Sequence, residues 1–255
     1  MIHAHGRLSI AVPTRDRPEC LTHFISSLKG STPAGRIPFV TFIHDAPYDA
    51  VCDEALQMSQ DAPFAKTRLV LRKKSSLTRL WNQCIINSPT DWVLICGDDI
   101  LFLPGWLDHL EQRIATGKYD QIHLSHYSGF CIHKSFILKL GWFDERFQGG
   151  YYEDNDWQLR ISEAGLKDRV DWFDNEVWLQ HPSSREKKWI CKNNPEWIVT
   201  KWTRNYDWLA PSFRRQGEVD HYPETTKQYE QKFQTTSRID YINNTLVNNG
   251  KPVFH

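Results

Sequence analysis

The chain has 255 residues, of which 40% are hydrophobic, enough for one large domain or for one domain with an appendage. Its 31 basic and 31 acidic side chains cancel, so the charge gives no reason to expect nucleic acid as a main partner. No apolar run approaches the ~18 to 20 residues that a membrane span needs, and no signal core follows Met1, so we expect a cytoplasmic protein.

Short apolar runs alternate with helical patterns in the first part of the chain. The runs that predict strands are residues 8–12, 39–43, 68–71 and 92–96. One helix is expected to begin near Pro18 and end at Gly30, a weaker one to cover residues 49–59, and a third to begin at Leu77. These repeated units predict a Rossmann-like α/β fold with a mostly parallel central sheet flanked by helices.

The pattern changes after Asp99. A helix is expected from Pro104, then strands near residues 121–124 and 129–133, and a helix from Glu153 to Gly165. Strands near residues 169–173 and 177–180 close a domain that we place at residues 1–182. Residues 183–255 are rich in Trp, Lys and Arg and predict a mainly helical extension packed on that domain.

The 6 cysteines are spread along the chain without a Cys-x-x-Cys pair. Several lie in apolar runs, as Cys96 does at the end of residues 92–96. This distribution favours buried free thiols in a reducing compartment over disulfides or structural zinc.

Polar clusters follow three of the predicted strands, at residues 14–16, 44–45 and 97–99. Since ligands of such sheets bind beyond the carboxyl ends of the strands, we expect these clusters on one rim. The adjacent carboxylates of Asp98 and Asp99, directly after a buried strand, are costly unless something compensates them. A divalent cation on a diphosphate would do so, because hard oxygen ligands suit magnesium and manganese; a solvated turn is the alternative.

The acid pair and the segment after it resemble the large inverting glycosyltransferase family with the GT-A fold (family 2-like). The family pattern is a strand, Asp-x-Asp, apolar residues and Pro-x-Trp-Leu, and here the chain reads Gly97-Asp98-Asp99 and then, after apolar residues, Pro104-Gly105-Trp106-Leu107. The resemblance implies that Asp99 binds the metal, Mn²⁺ or Mg²⁺, and that Asp98 faces the ribose or the metal. Gly97 departs from the pattern, since it stands where the first Asp is usual.

The turn after the first strand, Pro13-Thr14-Arg15-Asp16-Arg17, is similar to the family's Pro-Thr-x-Asn-Arg turn, which holds base and ribose. The resemblance therefore implies nucleotide contacts for Pro13, Thr14, Arg15 and Asp16. A helix cap formed by Asp16 is the alternative.

Two further segments resemble the family's nucleotide site. Asp45 stands where the family places an acid that binds uracil, which implies a UDP-sugar, although Ala46-Pro47-Tyr48 replaces the usual Asp-Gly-Ser turn. Residues 74–83 are similar to a stretch that lines the diphosphate, which makes Arg79 and Asn82 candidates. For Arg79 a solvated helix surface is the alternative.

The second half carries Gly141-Trp142-Phe143-Asp144-Glu145-Arg146-Phe147 and then Glu153-Asp154-Asn155-Asp156-Trp157 up to Arg160. These resemble the family's Gly-Gly-Phe-Asp-Glu-x-Phe and Glu-Asp-x-Asp-Leu-x-x-Arg. The resemblance implies that Asp154 is the catalytic base at an acceptor hydroxyl, with Glu153 orienting it or the acceptor. Acids also favour a helix start for structural reasons. His181 is implied as a second metal ligand, with a purely structural histidine as the alternative.

The resemblance covers roughly residues 8–182 and implies an inverting, metal-assisted transfer of sugar from a UDP-sugar donor to a hydroxyl of a glycan or glycolipid. Two alternatives stay open. A sugar-phosphate nucleotidyltransferase usually has a Gly-rich first turn, which this chain lacks; a non-catalytic carbohydrate-binding relative is favoured by Gly97.

Acceptor choice is assigned to loops such as residues 125–129 and 148–152. For the Trp-rich extension we predict that it completes the fold and borders the acceptor cleft. Membrane contact is the less favoured reading, because the net charge is +0.

Overall fold

The computed structural model describes residues 8–14, 17–33, 35–45, 53–71, 76–143, 153–172 and 178–180. The strands in these ranges are β1 (Leu8–Thr14), β2 (Phe39–Asp45), β3 (Lys66–Leu71), β4 (Trp92–Cys96), β5 (Leu101–Phe102), β6 (Gln121–Ser125), β7 (Gly129–His133), β8 (Val170–Asp171) and β9 (Leu179–Gln180). The helices are α1 (Pro18–Ser31), α2 (Asp53–Asp61), α3 (Leu77–Asn87), α4 (Trp106–Ala115), α5 (Lys134–Leu140) and α6 (Glu153–Glu163), with a short 3-10 helix at Lys167–Arg169.

Within the described residues the central sheet has 7 strands in the order β3-β2-β1-β4-β7-β6-β8. All neighbours in it pair in parallel except β7, which is antiparallel to both β4 and β6. Strands β5 and β9 form a separate antiparallel pair. The predicted class, an α/β fold with a mostly parallel sheet flanked by helices, is confirmed.

Two hydrophobic cores cover the two faces of the sheet. Strand side chains alternate between them: Ile10 and Leu94 face one core, while Ala11 and Ile95 face the other. Helices α1, α2 and α4 contribute to the first core, and α3, α5 and α6 to the second. The carboxyl ends of the strands are thereby left between two helix layers, which is where a ligand can approach the sheet edge.

The second half of the fold departs in detail from the sequence expectations. Helix α5 directly follows β7 and was not predicted. The strand expected near residues 177–180 appears as β9, which pairs with β5 and does not join the central sheet. The backbone N–H of Leu103 donates to the carbonyl of Trp178 at 3.1 Å and so extends this pairing beside the acid pair.

Four cysteines of the described residues, Cys20, Cys84, Cys96 and Cys131, are buried free thiols, which confirms that expectation for them. None of the helices described has both the length and the apolar character that crossing a bilayer requires. The predicted extension, residues 183–255, lies outside the described residues.

Candidate active site

The acid pair forms the centre of a tight turn at the end of β4. The N–H of Ile100 donates to the carbonyl of Gly97 at 3.2 Å, so that Asp98 and Asp99 occupy the two central positions. Asp98 is 0% exposed and Asp99 7% exposed. The N–H of Gly97 donates to the carbonyl of Ser128 at 3.0 Å, which fixes the acid turn against the turn between β6 and β7.

Arg17 is the cation that compensates both acids. Its Nε donates to Asp98 Oδ2 at 3.1 Å, its Nη2 donates to Asp98 Oδ1, and its Nη1 donates to Asp99 Oδ2 at 3.2 Å. The hydroxyl of Thr14 adds a 2.7 Å hydrogen bond to Asp98 Oδ2. Both oxygens of Asp98 therefore accept hydrogen bonds from the β1–α1 junction, and one oxygen of Asp99 shares the same guanidinium.

The local sequence explains where Arg17 lies. Pro18 is the first residue of α1 and fixes the start of the helix, so Arg17 stands at the N-cap with its carbonyl accepting from the N–H of Leu21 at 3.1 Å. Strand β1 lies beside β4 in the sheet, with Ala11 opposite Ile95. The residues that follow the two strands are thus neighbours, although 81 positions separate Arg17 from Asp98.

Gly97 leaves the space that the carboxylate of Asp99 uses. A Cβ atom at residue 97 would lie 2.7 Å from Oδ1 of Asp99. An acid in this place, as in the usual Asp-x-Asp motif, would force the Asp99 side chain to move. The present position of the Asp99 carboxylate therefore depends on the absence of a side chain at residue 97.

The predicted nucleotide-binding residues divide between the rim and the undescribed part. Pro13 and Thr14 are buried at the end of β1, and Asp45 is buried at the end of the adjacent strand β2. Thr14 pairs with His44, the residue before Asp45, so the two strand ends are level. Arg15 and Asp16 lie outside the described residues.

The two candidates on α3 have different surroundings. The side chain of Arg79 is exposed, and its backbone N–H donates to the hydroxyl of the N-cap residue Ser76 at 3.2 Å. The amide of Asn82 is buried: its Nδ2 donates to the carbonyl of Phe143 at 2.9 Å, and its Oδ1 accepts from the N–H of Phe143 at 3.1 Å. These two bonds join α3 to the segment before α6, which gives Asn82 a positioning role in the fold.

Glu153 and Asp154 begin α6, as expected, with Glu153 buried and Asp154 half-buried. The helix is anchored from within by Arg160, whose Nη1 donates to the carbonyls of Leu140 and Trp142 at 2.9 Å and whose Nη2 donates to Asp156 at 2.6 Å. This guanidinium is 0% exposed, and its bonds join the first turn of α6 to the backbone at the end of α5 and just after it.

Asp154 also acts electrostatically on the turn between β6 and β7. Burial, with a contribution from the charge of Asp154, raises the pKa of Tyr127 in that turn. The start of α6 therefore lies near the same turn that bonds to Gly97. The structure thus brings Thr14, Asp98, Asp99 and Arg17 into direct contact and leaves Asp154 on the neighbouring side.

Carboxylate oxygens suit a divalent cation, but the described residues include no group of three or more His, Cys, Asp or Glu able to hold one. Asp98 is committed to Arg17 and Thr14, so Asp99 is the ligand that this cluster offers. His181 lies outside the described residues; Gln180 before it pairs with Leu101, two residues after Asp99. Asp99 fits a metal in its chemistry, and Asp98 adds no second ligand in this arrangement.

Comparison with solved structures identifies the fold. Similar structures include a mannosyltransferase from Pyrobaculum calidifontis in complex with GDP-Man and Mn²⁺, with a TM-score of 0.57 and 13% identity. Others are S. aureus TarS, with a TM-score of 0.58 and 13% identity, and its 1–349 fragment in complex with UDP-GlcNAc, with a TM-score of 0.57 and 11% identity. The chain has a GT-A-like fold.

The lengths that match differ among these structures. The similarity covers 72% of this chain and 59% of the mannosyltransferase, and 92% of this chain but only 50% of TarS. For the 1–349 fragment the coverage is 92% of this chain and 83% of that one. No family model matches the sequence, and no curated protein matches it either.

Arg17 is the site residue that the sequence argument missed. The signal was present, because Arg17 stands in the place of the final Arg of the Pro-Thr-x-Asn-Arg pattern. The resemblance implies nucleotide contacts for residues 13–16 and assigns no role to Arg17. In the structure the last residue of that turn serves the acid pair.

Proposed function

We propose that the chain is an inverting glycosyltransferase, which moves a sugar from a UDP-sugar donor to a hydroxyl of a glycan or glycolipid. The observation that carries the proposal is the contact of Thr14 and Arg17 with Asp98 and Asp99 at the carboxyl ends of β1 and β4. In the order β3-β2-β1-β4, strands β2 and β3 are added on one side of β1 and strand β4 on the other. Ligands of open α/β sheets bind in the crevice at such a switch point.

Two observations support a UDP-sugar as the donor: the positions of Asp45 and Thr14, and the ligands bound in solved structures of the same fold. Asp45 is buried at the rim beside β1, where an acid can accept from the N–H of a uracil ring. Nucleotide sugars with two different bases, GDP-Man and UDP-GlcNAc, are bound by proteins of this fold. The fold alone leaves the base open, and we assign the choice of UDP over GDP to Asp45.

The transfer step needs a base and a stabilised leaving group. The acceptor oxygen attacks the anomeric carbon, the bond from that carbon to the diphosphate oxygen breaks, and the hydroxyl proton passes to the carboxylate of Asp154. The nucleoside diphosphate leaves with the bonding electron pair. Arg160 and Asp156 keep the first turn of α6 in place, so that Asp154 meets the acceptor in one geometry.

We propose Asp99 as the ligand of a divalent ion, Mn²⁺ or Mg²⁺, with His181 as its second protein ligand. Such an ion supplies positive charge to the diphosphate oxygens when it is bound. Arg17 already places one positive charge on Asp99. We therefore expect a metal site of modest affinity, because the guanidinium competes for the same carboxylate.

The proposal is tested by measuring nucleoside diphosphate release from UDP-, GDP- and TDP-sugars, with Mn²⁺ and with excess chelator. The wild-type protein should release UDP in the presence of Mn²⁺, and Asp99→Asn should not. Asp61→Asn, which changes an exposed acid at the end of α2, is the matched control and should behave as the wild type. Full activity in excess chelator would refute the metal proposal while leaving the transferase proposal intact.

A non-catalytic carbohydrate-binding relative is the second candidate, because Gly97 replaces an acid and Arg17 occupies the acid pair. That candidate gains support if a UDP-sugar binds to the protein but is released unchanged with every donor and metal. Formation of pyrophosphate from a sugar phosphate and a nucleoside triphosphate would instead indicate a nucleotidyltransferase.

A further inference from the structure

Trp172 is an exposed aromatic residue on the same rim of the sheet as the acid pair. The proposed transfer chemistry does not use it. It follows β8 and is 39% exposed, yet its ring lies flat on the buried imidazole of His123, with centroids 5.0 Å apart and planes at 18°. The register of β8 on β6 brings the two together, since Ile122 pairs with Asp171. Single exposed aromatics are ordinary, but this one rests on an ordered, buried support.

The support beneath Trp172 is a chain of hydrogen bonds. The indole N–H of Trp157 donates to Oε1 of Gln121 at 2.7 Å, which leaves the amide NH₂ of Gln121 to face Nε2 of His123 at 2.7 Å. Because an amide NH₂ can only donate, Nε2 of His123 is the acceptor and the imidazole is neutral. Burial lowers the pKa of His123 to about 4, so the ring stays neutral and fixed at physiological pH.

Tyr127 connects this support to the candidate active site. Its ring meets His123 edge-on, with centroids 4.8 Å apart at 79°, and stacks on Trp81 at 6.0 Å. Tyr127 belongs to the turn between β6 and β7 whose Ser128 carbonyl bonds to Gly97, and the charge of Asp154 reaches its hydroxyl. The exposed ring of Trp172 and the proposed base therefore border the same part of the rim.

The position of Trp172 along the sheet separates it from the donor crevice. Three strand steps, from β4 over β7 and β6 to β8, lie between Asp98 and Trp172. At about 4.8 Å for each step, the axes of β4 and β8 are roughly 14 Å apart. This is too far for Trp172 to contact a base or diphosphate held between β1 and β4, and it is suited to a second ligand.

We propose that Trp172 forms a subsite for the acceptor, in which its indole ring packs against the C–H face of a hexopyranose ring. One face of a pyranose presents mostly C–H groups, and a rigid aromatic ring offers it a flat apolar partner without ordering cost. Polar groups of the same rim then orient the hydroxyls, as in other small-molecule sites. This inference deepens the proposed function and rests on it for the role of the bound sugar as acceptor.

The test uses the full chain labelled with 5-fluorotryptophan and fluorine NMR. The protein has 11 tryptophans, and the signal of Trp172 is assigned by its loss in Trp172→Phe. The labelled protein is titrated with the methyl glycosides of glucose, galactose, mannose and N-acetylglucosamine, and separately with UDP. We expect the Trp172 signal to shift with at least one methyl glycoside and to stay in place with UDP.

Variants supply the second readout. Trp172→Ala should raise the dissociation constant of the methyl glycoside that shifts the signal, measured by calorimetry, about tenfold or more, as loss of an anchoring aromatic does, and leave UDP affinity unchanged. Trp172→Tyr keeps a flat ring and should restore most of the affinity. Leu138→Ala is the control, because Leu138 is another large exposed apolar residue, on α5, and its loss should change neither measurement.

The outcomes separate this inference from the proposed function. A Trp172 signal that no glycoside moves, in protein that binds UDP normally, overturns the inference and leaves the transferase proposal standing. A shift with a glycoside in protein that binds no UDP supports the sugar subsite and refutes the UDP-sugar transferase. Equal glycoside binding by the wild type and Trp172→Ala also overturns the inference.

Discussion

The strongest single test of the site is to remove its resident cation with Arg17→Gln. The wild-type guanidinium donates to both oxygens of Asp98 and to one of Asp99. Removal of one member of a buried ion pair costs about 3–5 kcal/mol, because the other charge stays buried without its partner. Arg17 is 14% exposed and Asp98 keeps its hydrogen bond from Thr14, so we expect the lower end of that range, about 3 kcal/mol.

The free energy of unfolding can be measured by urea denaturation followed by tryptophan fluorescence. Arg36→Gln is a matched control, since Arg36 also bridges two acids, Asp108 and Glu111, but does so at the surface. Its loss should cost less than about 1 kcal/mol. If both variants lose the same free energy of unfolding, the buried acid pair needs a cation no more than the surface acids do.

A second change decides whether the buried charge is the cause. Adding Asp98→Asn to Arg17→Gln removes the buried charge together with its partner, so the double variant should be more stable than Arg17→Gln alone. Mn²⁺ at one hundred times its dissociation constant stabilises the folded protein by about 2.7 kcal/mol, and Arg17→Gln should reach that stabilisation at a lower Mn²⁺ concentration than the wild type. A double variant less stable than Arg17→Gln would refute the electrostatic account.

Three further predictions concern catalysis and pH. Asp99→Asn should weaken UDP binding measured by calorimetry in Mn²⁺ and leave binding in chelator unchanged. Asp154→Asn should lower turnover by about a hundredfold with donor affinity retained, and turnover at the wild-type rate would show that the base lies elsewhere. Burial lowers the pKa of His123 from 6.5 to about 4, so as the pH falls this imidazole is protonated in the unfolded chain at a higher pH than in the folded protein. Stability should therefore fall as the pH drops from 6.5 to 4, by up to about 3 kcal/mol, and fall less in His123→Gln.

The parts of the fold that could be predicted are those with a signal along the chain. Strands β1 and β4 are buried at every residue, and a continuous apolar run records that directly. Strand β9 lies within the strand expected near residues 177–180, whereas its partner β5 has two residues, too few for any periodicity. Helix α5 has seven residues, fewer than two full turns, and its apolar residues follow β7 without a break.

The candidate site divides in the same way. That Asp98 and Asp99 follow a buried strand is visible in the sequence, and so is their need for a compensating charge. Which cation supplies it is not, because Arg17 is 81 residues away and only the pairing of β1 with β4 brings it there. Asn82 shows the converse, since its place on a helix is predictable but the direction of its amide toward Phe143 depends on tertiary packing.

The antiparallel strand β7 would allow one rim to serve the two proposed ligands. A parallel strand in its place would need a long crossover, whereas β6 and β7 are joined by a short turn at the rim, in which His126 has a φ of 45°. That turn contacts the acid turn through Ser128 and the Trp172 support through Tyr127. The proposed donor crevice and the proposed acceptor subsite are therefore connected by five residues, 125–129, of one hairpin. A change in the shape of that hairpin should weaken the binding of both donor and acceptor. By contrast, Arg17→Gln should affect donor binding alone, and Trp172→Ala should affect acceptor binding alone.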